Sequence, residues 1–173
     1  MLEAVLGAAL EQELVGDAAI ASTLAQADAF WALREAMSDA QKPEGGSIKH
    51  DISLPVAAIP EFLAQAGPLV YEVVPGARVV CFGHMGDGNL HYNVSQPVGM
   101  DRDIYLARWA DMNAAVHGLV AAMGGSFSAE HGIGQLKRGL LAATLDPVSL
   151  HLMRRIKAVF DPLGIMNPGK VLE

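Results

Sequence analysis

Apolar residues open this chain at helical spacing. Leu2, Val5, Leu6, Ala9 and Leu10 share one face of a 3.6-residue repeat, which predicts an amphipathic helix over residues 2 to about 14. Gly16-Asp17 reads as a turn and 18–21 as a short strand. Ser22 is placed to cap a second helix running to about residue 40, with Phe30, Leu33 and Met37 as its apolar stripe. Pro43, Gly45 and Gly46 then interrupt the pattern with a loop. Over 48–56 the period shortens to that of a strand, closed at Pro55. Pro60 opens a helix through residue 66 or beyond, as proline does in a first turn. The apolar run 77–83 is a strand, 85–89 a turn, and 90–95 the returning hairpin partner. The longest helix is predicted over 101 to about 123, ended by Gly124-Gly125. Residues 126–129 are strand-like and 135–144 helical. Asp146-Pro147 starts a last helix, and Gly164 closes that segment. Helices mixed with antiparallel strands predict an α+β fold rather than a doubly wound parallel sheet. No internal repeat or domain linker stands out.

Composition narrows the function classes. The 173 residues suffice for one domain with a real core. Hydrophobic residues make up 51% and charged ones 18%, which fits either an alanine-rich globular protein or a part with a large covered interface. A net charge of -7 argues against a binder of nucleic acid or anionic membrane and leaves room for a local basic pocket. One cysteine, Cys81, sits in an apolar strand and reads as a reduced core residue, so no disulfide forms within the chain. No basic region precedes an apolar core at the start, and the apolar run 114–123 is too short for a bilayer and contains His117. These features predict a cytoplasmic protein.

The concentrated chemistry lies in Gly83-His84-Met85-Gly86-Asp87-Gly88-Asn89-Leu90-His91-Tyr92-Asn93 and in Ser128-Ala129-Glu130-His131-Gly132. A hairpin through the first stretch puts His84 and His91 at one mouth, with His91 and Asn93 on the same strand face. Two imidazoles and a carboxylate form a donor set for zinc, manganese or iron with positions left open for substrate. Asp87 competes with Glu130 as the carboxylate, although Asp-Gly is also a common turn pair. Histidines that merely close a polar loop are the plainer alternative. His117 and His151 read as helical residues with no site role. The glycines are not a dinucleotide fingerprint, because a strand follows them where a helix N-terminus is needed. On the second predicted helix, Arg34 and Ser38 project from one face, suited to a substrate carboxylate, and Lys49 offers a further positive charge. Pairing of Arg34 with Glu35 or Asp39 on a solvated face is the competing reading.

Five stretches in one order carry a resemblance. They are Trp31-Ala32-Leu33-Arg34-Glu35, Lys49-His50-Asp51-Ile52-Ser53-Leu54-Pro55, the His84–His91 hairpin, Ser128-Ala129-Glu130-His131-Gly132 and Met166-Asn167-Pro168-Gly169-Lys170. Together, over nearly the whole chain, they resemble the C-terminal, substrate- and metal-binding domain of FAD-linked oxidases of the vanillyl-alcohol-oxidase superfamily. D-lactate dehydrogenases, the glycolate oxidase flavoprotein subunit and D-2-hydroxyglutarate dehydrogenase are the members most alike. The resemblance implies a ferredoxin-like antiparallel sheet with helices packed on it. It implies that His84, His91 and Glu130 ligate a divalent metal, zinc or manganese. Arg34, Ser38 and Lys49 would hold substrate carboxylates, with serine where some members have threonine. Asn93 would orient the substrate, His131 would be the general base and Asn167 a weaker contact to FAD. The implied reaction oxidises a D-2-hydroxy acid to the 2-oxo acid. The metal acidifies the hydroxyl, His131 takes its proton, and hydride passes from C2 to the flavin.

The family's FAD-binding domain has no counterpart in these residues, and nor does the strand expected ahead of the first helix. The expectation is one FAD-linked oxidase C-terminal domain over 1–173, truncated at its N-terminal side. It would be inactive without an FAD-binding domain or subunit and inclined to self-associate through exposed apolar surface and an open sheet edge. A non-catalytic hydroxy-acid or metal-binding module is the alternative. A stand-alone metal hydrolase is a third reading, which leaves Arg34, Ser38 and Lys49 unexplained.

Overall fold

A computed structural model describes residues 1–172. The chain forms two compact units, divided between Glu44 and Gly45. The first carries α1 (Leu2–Glu11) and α2 (Leu24–Ala40). The apolar period outlasts α1 because the helix closes in a Schellman turn. Glu13 takes a left-handed φ of 57°, the amide of Leu14 donates to Ala9 O at 2.9 Å and that of Glu13 to Leu10 O at 3.1 Å. Leu14 is thus the apolar residue that customarily follows such a turn rather than part of the helix. Residues 18–21 pair with no strand, contrary to the expectation, and a strand pattern without a partner ladder has nothing to hold it. The cap of α2 is Thr23 rather than Ser22. Its Oγ1 accepts from the amide of Gln26 at 3.2 Å while Gln26 Oε1 accepts from the amide of Ser22 at 2.8 Å, a reciprocal box displaced by one residue. Phe30 and Leu33 of the expected stripe are exposed.

The second unit holds β1 (Ser47–Ser53), α3 (Ile59–Val73), β2 (Arg78–Phe82), β3 (Asn89–Ser95), α4 (Arg102–Leu106), α5 (Trp109–Ala122), α6 (Arg138–Thr144) and α7 (Pro147–Phe160). The sheet runs β1-β3-β2, with β3 antiparallel to both neighbours, so β1 and β2 point the same way with β3 between them. That is the split β-α-β order of a ferredoxin-like sheet. An isolated bridge, Ser53 to Ser126, stands on the free side of β1. It is all that forms of the strand expected over 126–129, because the chain leaves the sheet there to build the Glu130 turn.

Strand alternation sorts the side chains. Ile48, Ile52, Leu90, Tyr92 and Val94 are buried with Phe62, Ala66 and Val70 of α3 and Met112, Val116 and Val120 of α5. The helical residues recur every four positions, which gives each helix a narrow core stripe. Burying a side chain such as Phe62 stabilises the fold by roughly 1.5–3 kcal/mol. That stripe carries α3 through Pro68 to Val73, in keeping with a helix expected to reach residue 66 or beyond. The single helix expected over 101–123 is two. Tyr105 is fully buried, its hydroxyl donates to Val94 O at 2.5 Å, and the chain tightens with Arg108 N–H on Tyr105 O at 3.0 Å before α5 begins. At α7, Asp146 caps the amides of Val148 and Ser149, both at 3.0 Å. Val148, Leu152, Ile156 and Val159 lie along α7 and stay exposed. No described helix is long and apolar enough to cross a membrane.

Candidate functional site

The hairpin after β2 is shaped by backbone demands. Residues 85–87 form one 3-10 turn, with the amides of Asp87 and Asn89 on His84 O at 2.9 and 3.2 Å. Gly88 has φ 75° and its ideal Cβ would lie 2.1 Å from Leu54 O, so only glycine fits. A Cβ on Gly83 would lie 2.3 Å from Asn89 O. These two close approaches fold the loop tightly enough to set His84 beside His91, which sits within β3.

Glu130 meets both imidazoles. His84 Nδ1 is 3.3 Å from Glu130 Oε1 and His91 Nε2 is 3.8 Å from Oε2. Asn89 Nδ2 donates to Glu130 Oε1 and fixes the carboxylate from the turn side. His131, the next residue, stacks on His91 with ring centroids 5.8 Å apart. An imidazole nitrogen lone pair and a carboxylate oxygen repel unless a proton or a cation lies between them, so two imidazoles aimed at one carboxylate make a fitting cradle for a divalent metal.

A second trio shares part of this cluster. One ligand atom each from Asp51, His91 and His131 lie within 4.8 Å of one another. Asp51 is differently employed, however. Its Oδ2 accepts the amides of Ala129, Glu130 and His131 at 3.2, 2.9 and 2.8 Å and lies 3.6 Å from His131 Nδ1. The three N–H groups occupy Oδ2, whereas Oδ1 is buried with no hydrogen-bond partner among the described residues, so Asp51 ties the Glu130 turn to β1 through one oxygen and keeps the other unused. Burial pushes the Asp51 carboxyl up, but the three amides and the His131 imidazole outweigh it and hold the group below the usual carboxylate range.

The strand register arranges the rest of this face. Asp51 stands opposite His91, and Lys49 opposite Asn93, across the β1–β3 pair. Lys49 is exposed and Asn93 buried. Arg34 and Ser38 lie one turn apart on α2 in the first unit, with Arg34 half-buried. Asn167 is exposed in the tail after α7 with a left-handed φ of 46°. Cys81 is a free thiol, half-buried against the core and raised by burial to about 11.

Several participants escaped the sequence reading. Asp51 lay in one of the stretches that carry the resemblance but was given no site role, since its partners lie 78 to 80 residues away. Asn89 had only its neighbourhood to recommend it. Lys137, whose Nζ donates to Phe127 O at 2.7 Å, pins the start of the segment that carries Glu130. Behind the sheet, half-buried His117 meets buried His50 edge-on, so a helical histidine with no assigned task packs against a core histidine.

The sequence profile of a family described as FAD linked oxidases, C-terminal domain, matches residues 2–171. D-2-hydroxyglutarate dehydrogenase of Stutzerimonas stutzeri (strain A1501) is 41% identical over 162 residues, covering 94% of this chain and 35% of that protein. The mitochondrial D-2-hydroxyglutarate dehydrogenase of Arabidopsis thaliana is 37% identical over 176 residues, covering 99% and 29%. That of Bos taurus is 37% identical over 164 residues, covering 94% and 29%. The chain thus spans about a third of the length of the curated relatives it matches.

Proposed function

This chain belongs to the FAD linked oxidase C-terminal domain family, and on that premise we propose that it is the substrate- and metal-binding part of a flavin-dependent dehydrogenase that oxidises a D-2-hydroxy acid. The observation that carries the reading is the approach of His84 and His91 to the two oxygens of Glu130, with His131 stacked alongside. The relatives' names make D-2-hydroxyglutarate the first substrate to try.

His84, His91 and Glu130 would hold zinc or manganese, which supplies Lewis-acid polarisation of the substrate hydroxyl. His131 has Nδ1 turned toward Asp51, which leaves Nε2 as the atom that takes the hydroxyl proton. Lys49 would bind a substrate carboxylate and Asn93 would orient the substrate beside His91, while the roles of Arg34 and Ser38 as carboxylate contacts rest on the family resemblance alone. FAD is the cofactor expected of the family. The glycine-rich turn of this chain runs into β3 rather than a helix N-terminus, so these residues do not cradle a pyrophosphate, and no step is assigned to the flavin. Asn167 is the one candidate contact to it. A separate FAD-binding domain or subunit is therefore the expected partner, and the exposed apolar stripe of α7 offers it, or a second copy, a surface. A cytoplasmic location is part of the proposal, although several relatives are named as mitochondrial.

The deciding experiment supplies the FAD-binding part and follows flavin bleaching with D-2-hydroxyglutarate, D-lactate and glycolate. Bleaching by one acid that is abolished by chelation and restored by zinc or manganese supports the reading. Bleaching that survives both chelation and His91→Ala refutes the metal assignment. Binding of the acid with no bleaching favours a non-catalytic module.

A further inference from the structure

We propose that Asp51 is the positioning residue of the metal site, holding the Glu130–His131 turn in register with His84 and His91 through three backbone amides. The inference rests on the metal reading above and adds a residue that supplies neither a ligand nor the base.

Glu130 and His131 are exposed and belong to no helix or strand. The bridge at Ser126 ties the chain to β1 four residues earlier, and the Lys137 ammonium grips Phe127 O. Ser128 Oγ donates to Gly132 O at 2.7 Å across the turn, Asn89 Nδ2 holds the Glu130 carboxylate and His131 stacks on His91, but the three consecutive amides of Ala129, Glu130 and His131 all converge on Asp51 Oδ2. Consecutive N–H groups converging on one anion form a nest, in which the dipoles add and fix the local backbone. A carboxylate in that nest sets the direction in which the Glu130 side chain leaves the chain. The same Oδ2, 3.6 Å from His131 Nδ1, orients the imidazole.

Asp51 is fitted for this by its place in the sheet. It sits within β1, its side chain is 5% exposed, and its position is locked by pairing with His91 in β3. One strand pair therefore presents His91 directly and Glu130 at one remove. Metal ligands held by outer hydrogen bonds typically lose 10- to 100-fold in affinity when the outer partner is removed.

The test compares the unsubstituted 173-residue chain with Asp51→Asn and with Asp146→Asn, in which a carboxylate that caps two amides of α7 is neutralised away from the site. Zinc affinity is read by competition with a chromophoric chelator, and amide exchange at 129–131 by NMR, both where the variants remain folded. The expected result is at least about a tenfold loss of zinc affinity and at least about tenfold faster exchange in D51N. Both quantities should stay within about twofold in D146N. Unchanged exchange in D51N overturns the proposal, and so does faster exchange with unchanged zinc affinity. If the unsubstituted chain binds no zinc, the metal reading falls, and the exchange data alone decide whether Asp51 holds the turn. Should D51N fail to fold, the unsubstituted chain decides. Amides 129–131 must then exchange at least about tenfold more slowly than that of Gly132 and must respond to added zinc, and exchange as fast as Gly132 refutes the inference.

Discussion

The imidazole of His117 meets that of His50 edge-on, with ring centroids 5.4 Å apart, on the packed side of the sheet. Nε2 of each is buried without a hydrogen-bond partner among the described residues, while His50 Nδ1 lies 2.8 Å from Tyr92 O. Burial above all holds both groups down to about 4, and the Lys137 charge adds to it.

Acid should therefore unfold this protein early. The unfolded chain takes up protons on these histidines from about pH 6.5, whereas the folded chain refuses them until about 4, so stability falls as pH drops through that window and returns as pH rises. For His50 the loss is on the order of 3 kcal/mol, and the less enclosed His117 contributes less. Asp51, held below its usual range, adds a loss at lower pH in the same direction. Urea midpoints at about pH 7 and about pH 5 should differ clearly, and His117→Phe should narrow the gap. Equal midpoints would contradict the buried neutral pair.

His84 offers a clean separation of ligand from scaffold. It is 57% exposed, so His84→Ala should change stability by no more than about 0.5 kcal/mol. If the proposed metal site is right, zinc affinity should nonetheless fall at least about tenfold, because one of its three proposed ligands is gone. Calorimetry of folding and metal titration on the same sample check both halves.

The two glycines of the turn should respond oppositely to alanine. At Gly88 the added Cβ meets Leu54 O at 2.1 Å with φ at 75°, and the backbone of the site must shift. Gly88→Ala should destabilise by about 2 kcal/mol or more and weaken metal binding. Gly86 has nothing within 4 Å, so Gly86→Ala should be near neutral in both measurements.

Two buried tyrosines make a matched pair. Tyr105 donates its hydroxyl to Val94 O, and Tyr105→Phe should cost about 1 kcal/mol. The Tyr92 hydroxyl is buried with no partner among the described residues, so Tyr92→Phe should be neutral or stabilising. Thermal unfolding of the two variants side by side tests the contrast.

What could be read from the chain divides along a physical line. Local signals survived. The hairpin around Gly88 and the Asp146-Pro147 start of α7 each depend on residues close in sequence. The glycine-rich turn made His84 and His91 legible as neighbours, whereas Glu130 was singled out over Asp87 only by the family resemblance, because it reaches them from about forty residues away. Tertiary competition erased the rest. The pull of Tyr105 into the core accompanies the break in a helix that its residues would otherwise continue, and the departure toward Glu130 leaves one bridge where a strand was expected. Asp51 was invisible as a site residue because an aspartate in a strand looks like any solvated polar position until its distant amides are located.

The β1–β3 register has a consequence for how this protein fails. Lys49 and Asp51 alternate with Ile48, His50 and Ile52 on one strand. A slip by a single residue would turn the Asp51 carboxylate inward and set Ile52 or His50 opposite His91, breaking the core and the proposed site in one stroke. Partial misfolding has no half-active form to fall into. Variants far from the hairpin, in the loops that meter the length between β1 and β3, would then be inherited as all-or-nothing losses rather than graded ones.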